Sequence, residues 1–330
     1  MTDRIQNLLI LPRLRVQNAN AISSPMTWGF PAMTAFVGFM HALERRLRQQ
    51  DMDIMFDGIG VVCHDHAPQV TTAGFERAFH LTRNPIDKSG KTAAIVEEGR
   101  THLTVSLILA VGGQALDDLE NDHQLLAREI ESIALSMRLA GGSILPPKQA
   151  HRAERSRSRF VFLADADEAS MREFRKVSRS LLPGFAMVSR DGLLHEHHQR
   201  LKQLEPDCSL LDAWLDIARL NMECRRIEPA TADTEQEIKW EARRPKGGGW
   251  LVPIPVGYGA LSPLYPPGSV KAARDSKTPF RFVESLYSVG EWISPHRLGS
   301  PEELLWFVES DAEHGLYRVN NDFEHLNHRQ

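Results

Sequence analysis

Hydrophobic and polar positions along the chain repeat with two periods, 2.0 and 3.6, and each change of period marks an element. Residues 8–16 are apolar up to Pro12. Beyond it the order Arg13, Leu14, Arg15, Val16, Gln17 alternates strictly. That alternation predicts a strand with both arginines on one face, and Pro12, which donates no ladder hydrogen bond, predicts a bulge or an edge. A polar connection, residues 17–31, leads into a 3.6-period stripe of Phe36, Val37, Phe39, Met40, Leu43 and Leu47. The stripe predicts a buried helix face, with Pro31 near the first turn and Arg45, Arg46 and Arg48 mostly off the face. Residues 54–63 read as a second strand, bulged at Asp57-Gly58. Residues 101–111 are the clearest strand, with His102, Thr104 and Ser106 alternating against Leu103, Val105, Leu107, Leu109 and Val111. The turn-rich segment 65–100 between them is long enough to be functional or disordered.

The periodicity next predicts a helix over 118–139, with Leu125, Leu126, Ile130, Ile133 and Met137 buried. Gly141 and Gly142 are read as its C-cap and as a place of close backbone approach. A basic loop, 148–159, precedes a short strand at 160–163. A helix with Arg172, Arg175, Lys176 and Arg179 outward follows, then helices over about 191–204 and 209–221. Residues 228–249 have the composition of a flexible linker. After it come a proline-bearing strand at 250–258 and helices near 279–292 and 301–309. The second of those is opened by a capping box, Ser300-Pro301-Glu302-Glu303. Strand, helix, strand, insertion, strand, helix, strand is the order of an α+β unit of ferredoxin-like or RRM-like type, with additions. No internal repeat is visible.

Composition adds few constraints. The 330 residues suffice for one large domain or two ordinary ones. Three scattered cysteines, Cys63, Cys208 and Cys224, point to a reducing cytoplasm and offer no metal knuckle. There is no signal-peptide pattern and no apolar run of membrane-spanning length. The net charge of −4 conceals a separation of sign. Residues 1–50 carry six Lys/Arg against two acids and 148–190 ten against five, whereas 111–147 carry two against six and 298–330 two against seven. Basic regions suit a polyanion, and acidic ones suit a protein partner.

Most candidate chemistry fails. "CHDH" at 63–66 sits on a strand that sends neighbouring residues to opposite faces, so it cannot chelate. "HEHH" at 195–198 could pair His195 with His198 but lacks a third ligand on an otherwise polar helix, and is read as solvated. No P-loop, dinucleotide fingerprint or nucleophile elbow is present. His41 has no evident acid–base partner. What survives is recognition chemistry for unpaired RNA. Arginines for phosphate, amides for base edges and an aromatic ring for stacking come close together in Arg13, Arg15, Gln17, Asn18, Asn20, Ser23 and Trp28. A plainer reading makes Trp28 and Phe30 a hydrophobic staple over the helix start.

Several stretches resemble a known family: "LPRLRVQNANAISSPMTWGFP", "HLTRNPIDKSGKTAAIVEEGR", "MRLAGGSILP", "LLPGFAMVSR", "GGWLVPIPVGYGALSPLY" and "GEWISPHRL". They are similar to the second Csy subunit of type I-F CRISPR surveillance complexes, a small RAMP-superfamily protein, in register over roughly residues 8–318. The resemblance implies an RRM-like palm (about 1–65, 101–165 and 240–330), an inserted thumb (66–100), a helical insertion (166–227) and the linker (228–249). It implies a non-catalytic subunit, while the cysteine usage implies the cytoplasm and the residues themselves give no reason to expect a cofactor or metal. Such a subunit pairs with the large Csy subunit beside the backbone filament subunit and caps the 5′ handle of CRISPR RNA. Target double-stranded DNA would be met only in the assembled complex. On this reading Arg83 and Asn84 in the thumb, and Arg138 beside Gly141 and Gly142, extend the RNA track. The competing reading is a RAMP-type endoribonuclease with His41 or His102 as base.

Overall fold

A computed structural model describes residues 5–327, apart from 75, 84–85, 87–88, 93–94, 118–121, 147–156, 165–166, 227–237 and 244–248. The first strand, β1 (Asn7–Asn20), does what its alternation requires. Leu9, Leu11, Leu14 and Val16 enter one core and Leu8 and Ile10 another, on opposite faces. The register slips between Leu11 and Leu14, and Arg13 has φ +50°, so Pro12 opens a bulge. Helix α1 (Met33–Arg48) follows, with Pro31 just before its N-cap Ala32, and buries the whole stripe together with Met33. Each such side chain contributes roughly 1.5–3 kcal/mol relative to exposure.

Strand β2 (Met55–Pro68) bulges at Asp57, as expected, and runs beyond residue 63 to pair with β3 (Arg100–Gly112) up to Pro68 opposite Thr101. Helix α2 is His123–Leu135, shorter than its periodicity suggested, because Asp122 caps it by accepting from Gln124 and Leu125. Leu125, expected inside, is exposed. Met137 is buried beyond the helix end. Gly141 and Gly142 are not a C-cap: the helix ends at Ser136. Ala140 and Gly141, both at positive φ, turn a hairpin between β4 (Arg138–Leu139) and β5 (Gly142–Leu145). A Cβ at Gly142 would stand 2.7 Å from the backbone nitrogen of Ala19, so the close approach expected there is present.

Strands β5 and β6 (Arg159–Phe162) lie end to end along the outer edge of β1. Counting them as one position, the succession β-α-β-β-α-β has the sheet order fourth, first, third, second, antiparallel throughout. Helices α1 and α2 cover one face. Helix α3 (Asp167–Ser180) covers the other only over the first half of β1, through Phe174 and Val177, with Leu181 just beyond its end, against Leu8 and Ile10. Its Arg172, Arg175, Lys176 and Arg179 point outward, as expected.

The sheet continues through β7 (Phe185–Ser189), β8 (Trp250–Ala260), β9 (Val283–Ile293), β10 (Trp306–Asp311) and β11 (Leu316–Asn321). From β2 the path runs β7, β9, β8, β11, β10 and back to β2, where Trp306 pairs with Ile59. Trp306 is fully buried inside this closure and donates its indole N–H to Met187 O at 2.8 Å. The helices expected near 279–292 and 301–309 are therefore strands, save one helical turn, Pro301–Leu304. Ser288, Val289, Gly290 and Glu291 are all buried, so a strand closed in on both faces loses its alternation. The capping box is absent: Ser300 makes no side-chain cap bond, and Glu303 accepts from Gly299 N instead.

Helices Asp191–Leu204 and Leu210–Ala218 pack on β9 through Leu194, Ala213 and Trp214. The second ends three residues earlier than expected, where the strand Asn221–Arg226 begins; it pairs with Ile238–Arg243. That pairing places a strand within the linker 228–249; its residues 228–237 and 244–248, and most of the basic loop 148–159, lie outside the described residues. The start of helix Asp191–Leu204 is held by Glu324, which accepts from Gly192 N, Leu193 N and Arg190 Nε. Arg190 also pairs with buried Glu291. Burial would lower the Arg190 guanidinium pKa, but Glu324 and Glu291 outweigh it and raise it.

Candidate nucleic-acid interface

Beyond the bulge, the face that α3 leaves uncovered changes character. Arg13, Arg15 and Gln17 on β1, and His102, Thr104 and Ser106 on β3, occupy the positions that carry Leu8, Ile10, Ile108 and Ala110 in the covered half. The two arginines thus share a face, as their alternation predicts. Arg13 is tied down: its N–H donates to Ser106 Oγ at 2.9 Å and its guanidinium to Leu182 O at 3.0 Å. Arg15 lies between Leu145 and Thr104, and its guanidinium has no partner among the described residues. Gln17 stands opposite Ser143, which stands opposite Arg138, so the three form an exposed row across β1, β5 and β4. Arg138 also lacks a side-chain partner among the described residues. Two unneutralised cations and a free amide therefore share one open sheet face.

The loop beyond is held by its own polar groups. Asn18, at φ +58°, donates its N–H to His102 Nδ1 at 3.3 Å and accepts from the Gln69 amide at 2.6 Å. Asn20 is engaged at both ends of its amide by Ile22, at 2.7 and 3.1 Å. Ser23 bonds to Thr27 Oγ1 at 2.8 Å. These three shape the loop, whereas Trp28, 51% exposed, stands on its second short strand, Thr27–Trp28, edge-on to Phe79 at 5.4 Å. Phe30 alone plays the staple, stacked on Phe36 at 5.5 Å. Arg83 is in the hairpin strand Leu81–Arg83, and Asn84 lies outside the described residues.

A cavity of roughly 500 Å³, which sequence reasoning missed, opens beside Trp28 between the α1 start, β2, β7, β8 and β9. Its rings are Trp28, Phe30, Phe185, Trp250 and Trp292, with Ser23, Cys63, His64, Asp65 and His66 as polar lining and no Lys or Arg. No spacing rule links residues so far apart in the chain. His64 Nδ1 is 2.6 Å from Pro183 O, which only accepts, so Nδ1 carries the proton and Nε2 accepts from Ser106 Oγ at 2.7 Å. Burial, helped by the nearby Arg13 charge, lowers the His64 pKa and outweighs the bond to Pro183. Burial likewise lowers His66, against its bond to the Gly29 backbone and the nearby Asp65 charge. Burial pushes the Cys63 thiol up to about 12, against its bond to the Asp65 backbone. Another cavity shares Ser23, Pro31 and Ala32 with the first and is bounded also by Asn20, Ala140, Tyr258 and Tyr317.

The remaining histidines are placed differently from a solvated cluster. His197 is buried against Asp216 Oδ2 at 2.8 Å and His198 bonds to Cys208 O at 2.9 Å, so only His195 is exposed. No group of three or more His, Cys, Asp or Glu converges on a metal position among the described residues. No helix among them is long and apolar enough to cross a membrane. His102 is flanked by Asn18 N–H and the Gln69 amide, and His41 is half-buried on α1.

Residues 9–319 match the family model described as CRISPR-associated protein (Cas_Csy2). The chain is also 49% identical over 317 residues to CRISPR-associated protein Csy2 of Pseudomonas aeruginosa (strain UCBPP-PA14), with 94% of each chain covered.

Proposed function

The chain belongs to the family of CRISPR-associated Csy2 proteins, and we propose that it serves as a non-catalytic subunit of a type I-F CRISPR surveillance complex. In that role it binds and caps the 5′ handle of the CRISPR RNA as a cytoplasmic protein. It pairs with the large Csy subunit, abuts the backbone filament subunit, and meets target double-stranded DNA only within the assembled complex. The fourth-first-third-second order of its β-α-β-β-α-β half supports reading that half as an RRM-like RAMP palm.

The observation that carries this reading is the uncovered half of the sheet face, with Arg15, Arg138 and Gln17 unengaged. Cations there neutralise phosphates, and Trp28 supplies a ring for stacking. Catalysis of RNA cleavage would need a base with a proton to take and a partner to orient it. His64 has both nitrogens engaged by structural partners, and His102 braces the Asn18 turn. The test is purification of the complex from its cells, with sequencing of the RNA and identification of the proteins that accompany this chain. CRISPR RNA together with a large and a filament subunit supports the proposal. Metal-independent cleavage of repeat RNA by the isolated chain, lost in His41→Ala or His102→Ala, would replace it with the endoribonuclease reading.

A further inference from the structure

The aromatic cavity contributes only its Trp28 ring to the RNA-binding reading above. We propose that it seats one unstacked nucleobase of the bound RNA strand, a base that carries an exocyclic amino group. The inference rests on the RNA-binding reading and adds a site to it.

The lining selects the occupant. No Lys or Arg faces the cavity and Asp65 does, so a phosphate would be repelled rather than held. Trp250 and Trp28 are 57% and 51% exposed at the opening, an arrangement that leaves large ring faces in water unless something flat covers them. Their ring contacts are edge-on or tilted: Phe185 meets Trp250 at 5.3 Å and 77°, and Trp250 meets Trp292 at 6.3 Å and 50°. A ring engaged in this way keeps at least one face for stacking. The Asp65 carboxylate has only acceptor capacity, so the edge it pairs with must donate, as an exocyclic amino group does. Ser23 and Trp28 belong to the loop that leaves the open sheet face, and His64 in the lining bonds to Ser106 on that face, so the cavity adjoins the face that carries Arg15 and Gln17.

The test uses the full chain and short RNAs copied from the 5′ segment of the RNA that co-purifies with it, each with one abasic position. A single position whose base removal weakens binding about tenfold or more, the scale of one stacked base, is the expected result. That penalty should disappear in Trp250→Ala, and both substituted positions are exposed enough for the variants to fold. Replacing the base at that position by its analogue without the amino group (inosine, purine riboside or uridine) should weaken binding to the wild type and leave Asp65→Ala indifferent. A flat abasic scan by a chain that still binds RNA overturns the base pocket and leaves the proposed function standing. So does a sensitive position unaffected by Trp250→Ala, or one occupied by uridine. Loss of large-subunit pairing in Trp250→Ala with RNA binding intact assigns the cavity to a protein side chain instead. A chain and complex without RNA affinity would remove both readings.

Discussion

The hairpin that sets β5 against β1 gives the sharpest separation of cause from effect. A methyl group at Gly142 would lie 2.7 Å from Ala19 N, 2.7 Å from Val16 Cγ1 and 2.8 Å from Gln17 O. Carbon contacts are comfortable at about 3.5–4.0 Å, so the two strands must part by roughly 0.7 Å or more. Val16 can shift its side chain, but the other two atoms are backbone. Overpacking costs about 1–3 kcal/mol, and an unyielding backbone places Gly142→Ala near the upper end. Gly141→Ala is the control: nothing lies within 4 Å of its added methyl, and only its φ of +77° costs, about 1–2 kcal/mol. Both variants should unfold at lower urea with unchanged slope. Fluorescence anisotropy with labelled RNA should then separate them. Gly142→Ala displaces Gln17 and the Asn18 turn and loses affinity, whereas Gly141→Ala keeps it. Wild-type stability and affinity in Gly142→Ala, or equal loss of affinity in both, would refute the reasoning.

Three further perturbations have defined outcomes. Arg190→Ala leaves Glu291, whose side chain is 5% exposed, as an unpaired buried carboxylate, and urea titration should show a loss of about 3–5 kcal/mol. His64 and His66 both have folded pKa values lowered below the ordinary 6.5. Below that value the unfolded chain binds more protons, so their contribution is complete above it and is lost as pH falls toward the folded values. The variant carrying His64→Gln and His66→Gln should therefore lose less stability than the wild type between about pH 7 and about pH 5, and an equal loss would assign the acid sensitivity elsewhere. Trp28→Ala should keep its urea midpoint and weaken RNA binding by about 1–3 kcal/mol; an unfolded variant would make the ring structural.

The elements legible from sequence are those with one buried face. The α1 stripe, the β3 alternation and the Pro12 bulge each follow from a local period or a single backbone constraint. Strand β9 was not legible, because Val289 and Glu291 are buried on one side and Ser288 and Gly290 on the other. The turn of Ala140 and Gly141 reads equally as a helix C-cap or a hairpin until Gly142 is seen against β1. Glu303 and Glu324 counted toward an acidic, protein-facing tail, yet both bond within the chain. For the site, strand alternation gave the shared face of Arg13 and Arg15. It did not tell which polar groups the loop would engage for itself, as Asn20 and Ser23 are. The aromatic cavity joins rings from positions 28 to 292 and exists only once the sheet has closed.

On the proposed function, the uncovered sheet face holds RNA through its unpaired cations. The most direct measurement is the salt dependence of RNA binding by the chain with Arg15 and Arg138 both changed to Ala. Each lost phosphate contact to a single strand should shallow the slope of log K against log salt by about 0.7, hence about 1.4 for the pair. The same loss should appear with cognate and scrambled RNA alike. An unchanged slope with undiminished affinity would contradict the claim and place the RNA elsewhere on the molecule.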